Sequence, residues 1–161
     1  MSQRTHQLVH ANIAIMRAPL EDPVMAGFVN QVDQINAVAQ ASPGFVGQPI
    51  LPDEGEVFTD RMLLNLSIWE SVEDLDRFTH QGLHALALEQ RAQWFEQSGR
   101  PNYVLYWEPA GHVPSEAEVK ERIDHLERHG PTPFAFTFER RFTVGDMLAY
   151  DHEVAGTRSV R

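Results

Sequence analysis

Hydrophobic and polar positions alternate with period two in QLVHANIAI, residues 7–15. Val9, Ala11, Ile13 and Ile15 make a clean apolar face, while Leu8, His10, Asn12 and Ala14 make a mixed one. That period predicts a β-strand. After a short loop, Asp22 stands as an N-cap with Pro23 at the first helical position. The helix is predicted to run to Ala41 and to bury Val24, Phe28, Val32, Ile35 and Ala39, with Ser42–Gly44 stopping it. FVGQPIL reads as a short second strand and PDEGEVFTD as a loop. RMLLNLSIW is a third strand, with Met62, Leu64, Leu66 and Ile68 on one face and Leu63, Asn65, Ser67 and Trp69 on the other. Ser71 caps a second helix, with Asp74 at the capping-box position and Leu75 and Phe78 turned inward. A glycine inside a helix costs about 1 kcal/mol. A break is therefore expected at Gln81–Leu83, with a further helical piece from about His84 to Gln97. NYVLYW is a fourth strand.

The order β-α-β-β-α-β is that of an α+β, ferredoxin-like fold. An extra helix and strand follow. Ser115 and Glu118 form a capping box before a helix carrying Val119, Ile123 and Leu126, which closes at Gly130. Phe134, Phe136 and Phe138 alternate in FAFTFERRF and predict a strand. The expected organisation is one domain over 1–142 and a C-terminal tail or arm over 143–161. One sheet face would lie on the helices, and the other would need cover, often from a second subunit.

Composition narrows the chemistry. The 161 residues contain no cysteine, which excludes disulfides, thiolate nucleophiles and iron–sulfur clusters. Thirteen basic against twenty-three acidic residues give a net charge of −10. Such a chain is not expected to bind nucleic acid through phosphate neutralisation or to sit on an anionic membrane. No window approaches the roughly 18 apolar residues of a membrane span. The start of the chain has no signal-peptide layout, so a cytoplasmic location is the expectation. GxGxxG, P-loop, GxSxG and HExxH motifs are absent.

The mixed strand faces are more informative than any motif. If the apolar faces meet the helices, His10, Asn12, Asn65, Ser67 and Trp69 converge on the other side of the sheet. Histidine, amides, a hydroxyl and an indole suit a pocket that orients a ligand among aromatics; the bland alternative is ordinary subunit contacts. His84, near a helix start, is a candidate axial haem ligand or general base, because the dipole there favours neutral imidazole. The expected break at Gly82 parts it from His80, so no two-histidine metal site is expected. His112, in the loop PAGHVPS, is a third candidate. Trp94, Phe95, Tyr103, Tyr106 and Trp107 could line a cavity or fill a core. His125 and His129 fall in the last turns of a helix, where a cationic ring suits the dipole.

The segments NIAIMRAPLEDPVMAGFVNQVDQINAVAQASPGFV, WES, RAQWFE and PAGHVPSEAEVKERIDHLERHGPTPFAFTF resemble an uncharacterised bacterial and fungal family of the dimeric α/β-barrel proteins, beside the antibiotic-biosynthesis monooxygenases. The resemblance implies a homodimer whose sheets pair. It places the chain beside cofactor-free monooxygenases of polyketide aromatics and beside haem proteins, in which a helix histidine often ligates iron; His84 is the analogue here. Family members tend to carry a bulky aromatic where this chain has Gly47, which would reshape the pocket.

Three readings follow. The first is a small-molecule biosynthetic enzyme, monooxygenase-like or a lyase or cyclase, without a tightly bound organic cofactor. It would use His10, His84 or His112 as catalytic groups, with Asn12, Gly47, Asn65, Ser67, Trp69, Trp94 and Trp107 around an aromatic or apolar substrate. The second is a haem protein with His84 or His10 as axial ligand and Arg61, Arg91 or Arg100 near the propionates. The third is a non-catalytic module that binds a small ligand.

Overall fold

A computed structural model of the chain describes residues 4–19, 21–49, 62–80, 93–96 and 101–150. Strand β1 (His6–Met16) runs through the middle of an antiparallel sheet. On one side it pairs with β3 (Met62–Trp69), which in turn pairs with the short β2 (Phe45–Gly47). On the other side it pairs with β5 (Tyr103–Pro109) and, at its far end, with β4 (Phe95–Glu96). The order β2-β3-β1-β5 is that of a ferredoxin-like sheet, and the fold is α+β.

Local signals place the helices. The Asp22 side chain accepts from the Val24 N–H at 2.9 Å and opens a 3-10 turn, Pro23–Met25, which leads into α1 (Ala26–Ala41). A 3-10 turn has three residues per turn rather than 3.6, which shifts the phase of the stripe. Met25 is therefore buried and Val24 is 54% exposed, contrary to the expected stripe; Ala39 is buried as expected. Ser71 Oγ accepts from the Asp74 N–H at 3.1 Å to start α2 (Val72–Thr79). Ser115 does the same for Glu118 at the start of α3 (Glu116–His129), which ends on Gly130 at φ 72°. Helix α2 stops at Thr79, just before the expected break. Residues 81–92, with Gly82 and His84, lie outside the described residues, as does the predicted loop 52–60. The further helix does not reach Gln97, because Phe95 and Glu96 pair with Met16 and Ile15 as strand β4.

The sheet has two covered faces, assigned opposite to expectation. The clean apolar face (Val9, Ala11, Leu66, Ile68, Val104 and Tyr106) lies under α3, against Val119, Ile123 and Leu126. Burial of each valine, leucine or isoleucine there contributes about 1.5–3 kcal/mol. The mixed face lies under α1 and α2 instead, with Leu8, Trp69, Leu105 and Trp107 against Ala39, Val72 and Leu75. His10, Ser67 and Trp69 thus lie on the face covered by the two ferredoxin helices, not on the other one. Alternation defines two faces but not which helix covers which. The chain's own third helix packs on the sheet face opposite α1 and α2.

The C-terminal part also departs from its prediction. Phe134 to Phe142 is not a regular strand: Leu105 and Phe136 exchange two backbone hydrogen bonds of 2.9 Å, and Thr132 and Ala135 close a turn. Tyr103 and Arg141 hold the remainder through side chains, since Phe138 N–H donates to the Tyr103 hydroxyl and Arg141 Nε donates to the Phe138 carbonyl. Residues 144–150 are helical. Thr143 and Asp146 cap each other reciprocally at 2.9 and 3.1 Å, and Met147 is buried on the mixed-face core. No described helix is long and apolar enough to cross a membrane.

Candidate functional site

His10 sits at the centre of β1, opposite Ser67 on β3 and Leu105 on β5. It is 8% exposed. Its Nδ1 stands 3.5 Å from Ser67 Oγ, which accepts a 2.9 Å hydrogen bond from the Trp69 indole N–H. Trp69 is fully buried between the rings of Phe45 and Phe78, at 5.4 and 5.2 Å. The indole therefore holds the serine, and the serine faces the imidazole. On the other side of His10 stand the rings of Tyr103 at 5.9 Å and Phe138 at 6.3 Å.

Phe138 is placed by a network of its own. Its N–H donates to the Tyr103 hydroxyl at 3.1 Å, and that hydroxyl donates to Glu139 at 3.3 Å. Burial, more than the nearby carboxylate, pushes the Tyr103 phenol above its ordinary range. The Phe138 ring also meets His80, which pairs with Asp76, and Asp76 pairs with Arg141. The bond from Arg141 is the main cause that holds the Asp76 carboxyl below its usual value. Asn12, two residues along the same face, faces Asn65 and Tyr103 across the strands. Its Oδ1 is buried with no hydrogen-bond partner among the described residues.

The sequence-derived candidates therefore separate. His10, Asn12, Ser67 and Trp69 share one neighbourhood. Asn65 is exposed and opens instead onto a groove of about 540 Å³ along β3, lined also by Asn36, Gln40, Phe45 and Gln48. Gly47 stands in open space, and a Cβ there would meet nothing within 4 Å. Trp107 lies on the His10 face, but its indole N–H donates to the Phe142 carbonyl at 2.8 Å and pins the C-terminal segment. Trp94 packs with Met16, Met25 and Phe28 at the far end of β1. Six residues along a strand is about 20 Å, which puts that cluster out of reach of His10. His84 lies outside the described residues, with Arg61, Arg91 and Arg100.

His112 is on the opposite side of the sheet. Its Nε2 is 3.0 Å from Glu118 Oε2 on α3. Close by, Glu108 is buried at the end of β5, where Gln7 Nε2 donates to its Oε2 at 2.6 Å and to the His112 carbonyl at 3.0 Å. His10 and His112 are thus two separate centres.

Sequence reasoning did not single out Phe138 as part of the site, because its alternation read as an ordinary strand. It also passed over Glu108, although an acid continuing the apolar face of Val104 and Tyr106 was a visible signal.

Among solved structures the chain is similar to PA3566 from Pseudomonas aeruginosa, at 9% identity and a TM-score of 0.47, over 70% of this chain and all of that one. It is similar to NE2512, a protein of unknown function from Nitrosomonas europaea, at 10% identity and 0.47, over 70% of this chain and 99% of that one. SnoaB, a cofactor-independent oxygenase from Streptomyces nogalater, aligns at 15% identity and 0.45, over 68% of this chain and 96% of that one. No curated protein matches the chain. The family described as a domain of unknown function, DUF3291, matches residues 7–152, and the chain belongs to that family.

Proposed function

We propose that the protein is a small-molecule enzyme that works by general acid–base chemistry on a planar, aromatic or apolar substrate, without a tightly bound organic cofactor. The observation that carries this reading is the buried His10, backed by Ser67 and Trp69 and flanked by Tyr103 and Phe138. Ser67 Oγ has two lone pairs. One accepts from Trp69, and the other can accept from a protonated Nδ1 of His10. In that tautomer the basic lone pair is the one on Nε2. The aromatic walls suit a flat substrate, and the unpartnered Oδ1 of Asn12 suits a hydroxyl or enol proton.

In this reading His10 Nε2 removes a proton from an enolisable or phenolic substrate, and Asn12 Oδ1 accepts from a second hydroxyl that keeps its proton. An electron-rich anion of this kind can react with O₂ directly, which gives monooxygenase-like chemistry. The same proton transfer without O₂ gives a lyase or cyclase. Positioned proton transfer is worth about 10²–10⁴-fold.

A panel of planar aromatic ketones and hydroquinones in D₂O tests the reading. Deuterium exchange is followed by NMR and oxygen uptake by electrode. Wild-type protein is expected to accelerate exchange for at least one member, and His10→Ala to lose that acceleration. Equal exchange by His10→Ala and wild type would overturn the assignment.

A further inference from the structure

A second cluster lies on the other face of the sheet and takes no part in the chemistry proposed for His10. One ligating atom each from Glu108, His112 and Glu118 falls within 4.8 Å of the others. They come from three elements: the end of β5, the turn after it, and the first turn of α3. From these residues we infer a binding site for a divalent first-row transition-metal ion, held by Glu108, His112 and Glu118.

The key observation is Glu108. It is 3% exposed, and its Oε1 has no hydrogen-bond partner among the described residues. A buried carboxylate oxygen without a partner costs far more than an exposed one. Its other oxygen is fixed by Gln7, whose own Oε1 accepts from the Gly111 N–H at 3.2 Å. Gln7 thereby ties the strand end to the turn that carries His112, as an outer-shell residue does for a metal ligand. The Tyr106 hydroxyl, on the same face of β5, is also buried with no partner among the described residues.

The geometry suits an ion. Metal–ligand bonds of about 2.1 Å place neighbouring ligand atoms about 3.0 Å apart in an octahedral site and about 3.4 Å apart in a tetrahedral one. His112 Nε2 and Glu118 Oε2 are 3.0 Å apart. Their side chains are 43% and 37% exposed, so an ion can enter from solvent and keep water in its remaining positions. One imidazole with two carboxylates is a mixed nitrogen and oxygen donor set. It suits Mn²⁺, Fe²⁺ or Zn²⁺ rather than Cu⁺, with Zn²⁺ bound more tightly than Mn²⁺.

The test is calorimetric titration of the EDTA-treated full chain with Zn²⁺ and with Mn²⁺, alongside thermal melts. The expected result is one ion per chain and a rise in Tm with metal. Affinity should fall at least tenfold in Glu108→Gln and in His112→Ala. His112 is half-exposed, so its variant keeps the fold and tests the site even if Glu108→Gln does not. Absence of saturable binding by both ions would overturn the proposal. So would wild-type affinity in His112→Ala, or a loss in that variant with Glu108→Gln unchanged.

Discussion

The two faces of the sheet are built from the same strands and bury their polar groups differently. On the mixed face, His10 and Ser67 are enclosed by Trp69, Tyr103 and Phe138, and the indole and phenol serve as both wall and hydrogen-bond partner. On the apolar face, Val9, Ala11, Leu66, Ile68 and Val104 form a plain hydrocarbon core under α3, and polarity enters through the Tyr106 hydroxyl and, at its end, through Gln7 and Glu108. Polar groups dispersed among aromatics are what the proposed reaction of a flat organic molecule rests on. An acid set at the rim of an aliphatic face, near an imidazole and a second carboxylate, makes a place for a cation. Burial alone does not tell these apart; the partners of each polar atom do.

A pair of substitutions tests whether the faces act separately. His10→Ala is expected to lower the proton-transfer rate by about 10²–10⁴-fold, while metal affinity at Glu108 stays at the wild-type value. Rate assays and calorimetry on one preparation decide this, and a parallel loss of both would join the two faces into one site. Ile123→Ala, in the apolar core, should cost about 2–5 kcal/mol of stability by denaturant unfolding. The rate per folded molecule should not change. A large change in that rate would mean that the apolar core also sets the His10 geometry.

Gly44 gives a smaller effect on the mixed side. It has φ 83°, its carbonyl accepts from the Glu70 N–H, and a Cβ there would collide with the Asp74 carboxylate that helps cap α2. Gly44→Ala should cost about 1–3 kcal/mol through backbone strain. A melt unchanged from wild type would show that the start of α2 yields more easily than its cap suggests.

The smallest effects come from pH, and each face has its own probe. His125, at the end of α3, contacts Phe134 and Thr132. Burial, then the charge of His129, holds its imidazole below the ordinary 6.5. The unfolded chain therefore takes up the proton more readily, and stability is full above pH 6.5 and declines as pH falls below it. This reverses the cationic ring expected from the helix dipole, because desolvation outweighs the dipole here. Asp76, beside the mixed face, is held below 3.8 by Arg141, so its contribution is present above pH 3.8 and fades as pH falls through the lower folded value. His125→Gln should flatten the stability profile just below pH 6.5, and Asp76→Asn only the acid end. A single variant that flattened both windows would contradict the assignment.

The sequence by itself determined the local features. Asp22, Ser71 and Ser115 begin their segments and Gly130 ends α3, because caps act within a few residues on backbone groups that are otherwise unpaired. Alternation in β1 and β3 likewise separated His10, Ser67 and Trp69 from the apolar set, because a strand presents successive side chains to opposite faces. Only the tertiary structure decided which face met which helix, that His112 stands apart from His10, and that Glu108 and Glu118, ten residues apart, come together. It also turned the phenylalanine run from a regular strand into a bridge, with Phe138 over His10. These outcomes depend on how α3 and residues 134–150 pack against the sheet. Packing of that kind is a competition among distant surfaces, and no short pattern along the chain encodes its result.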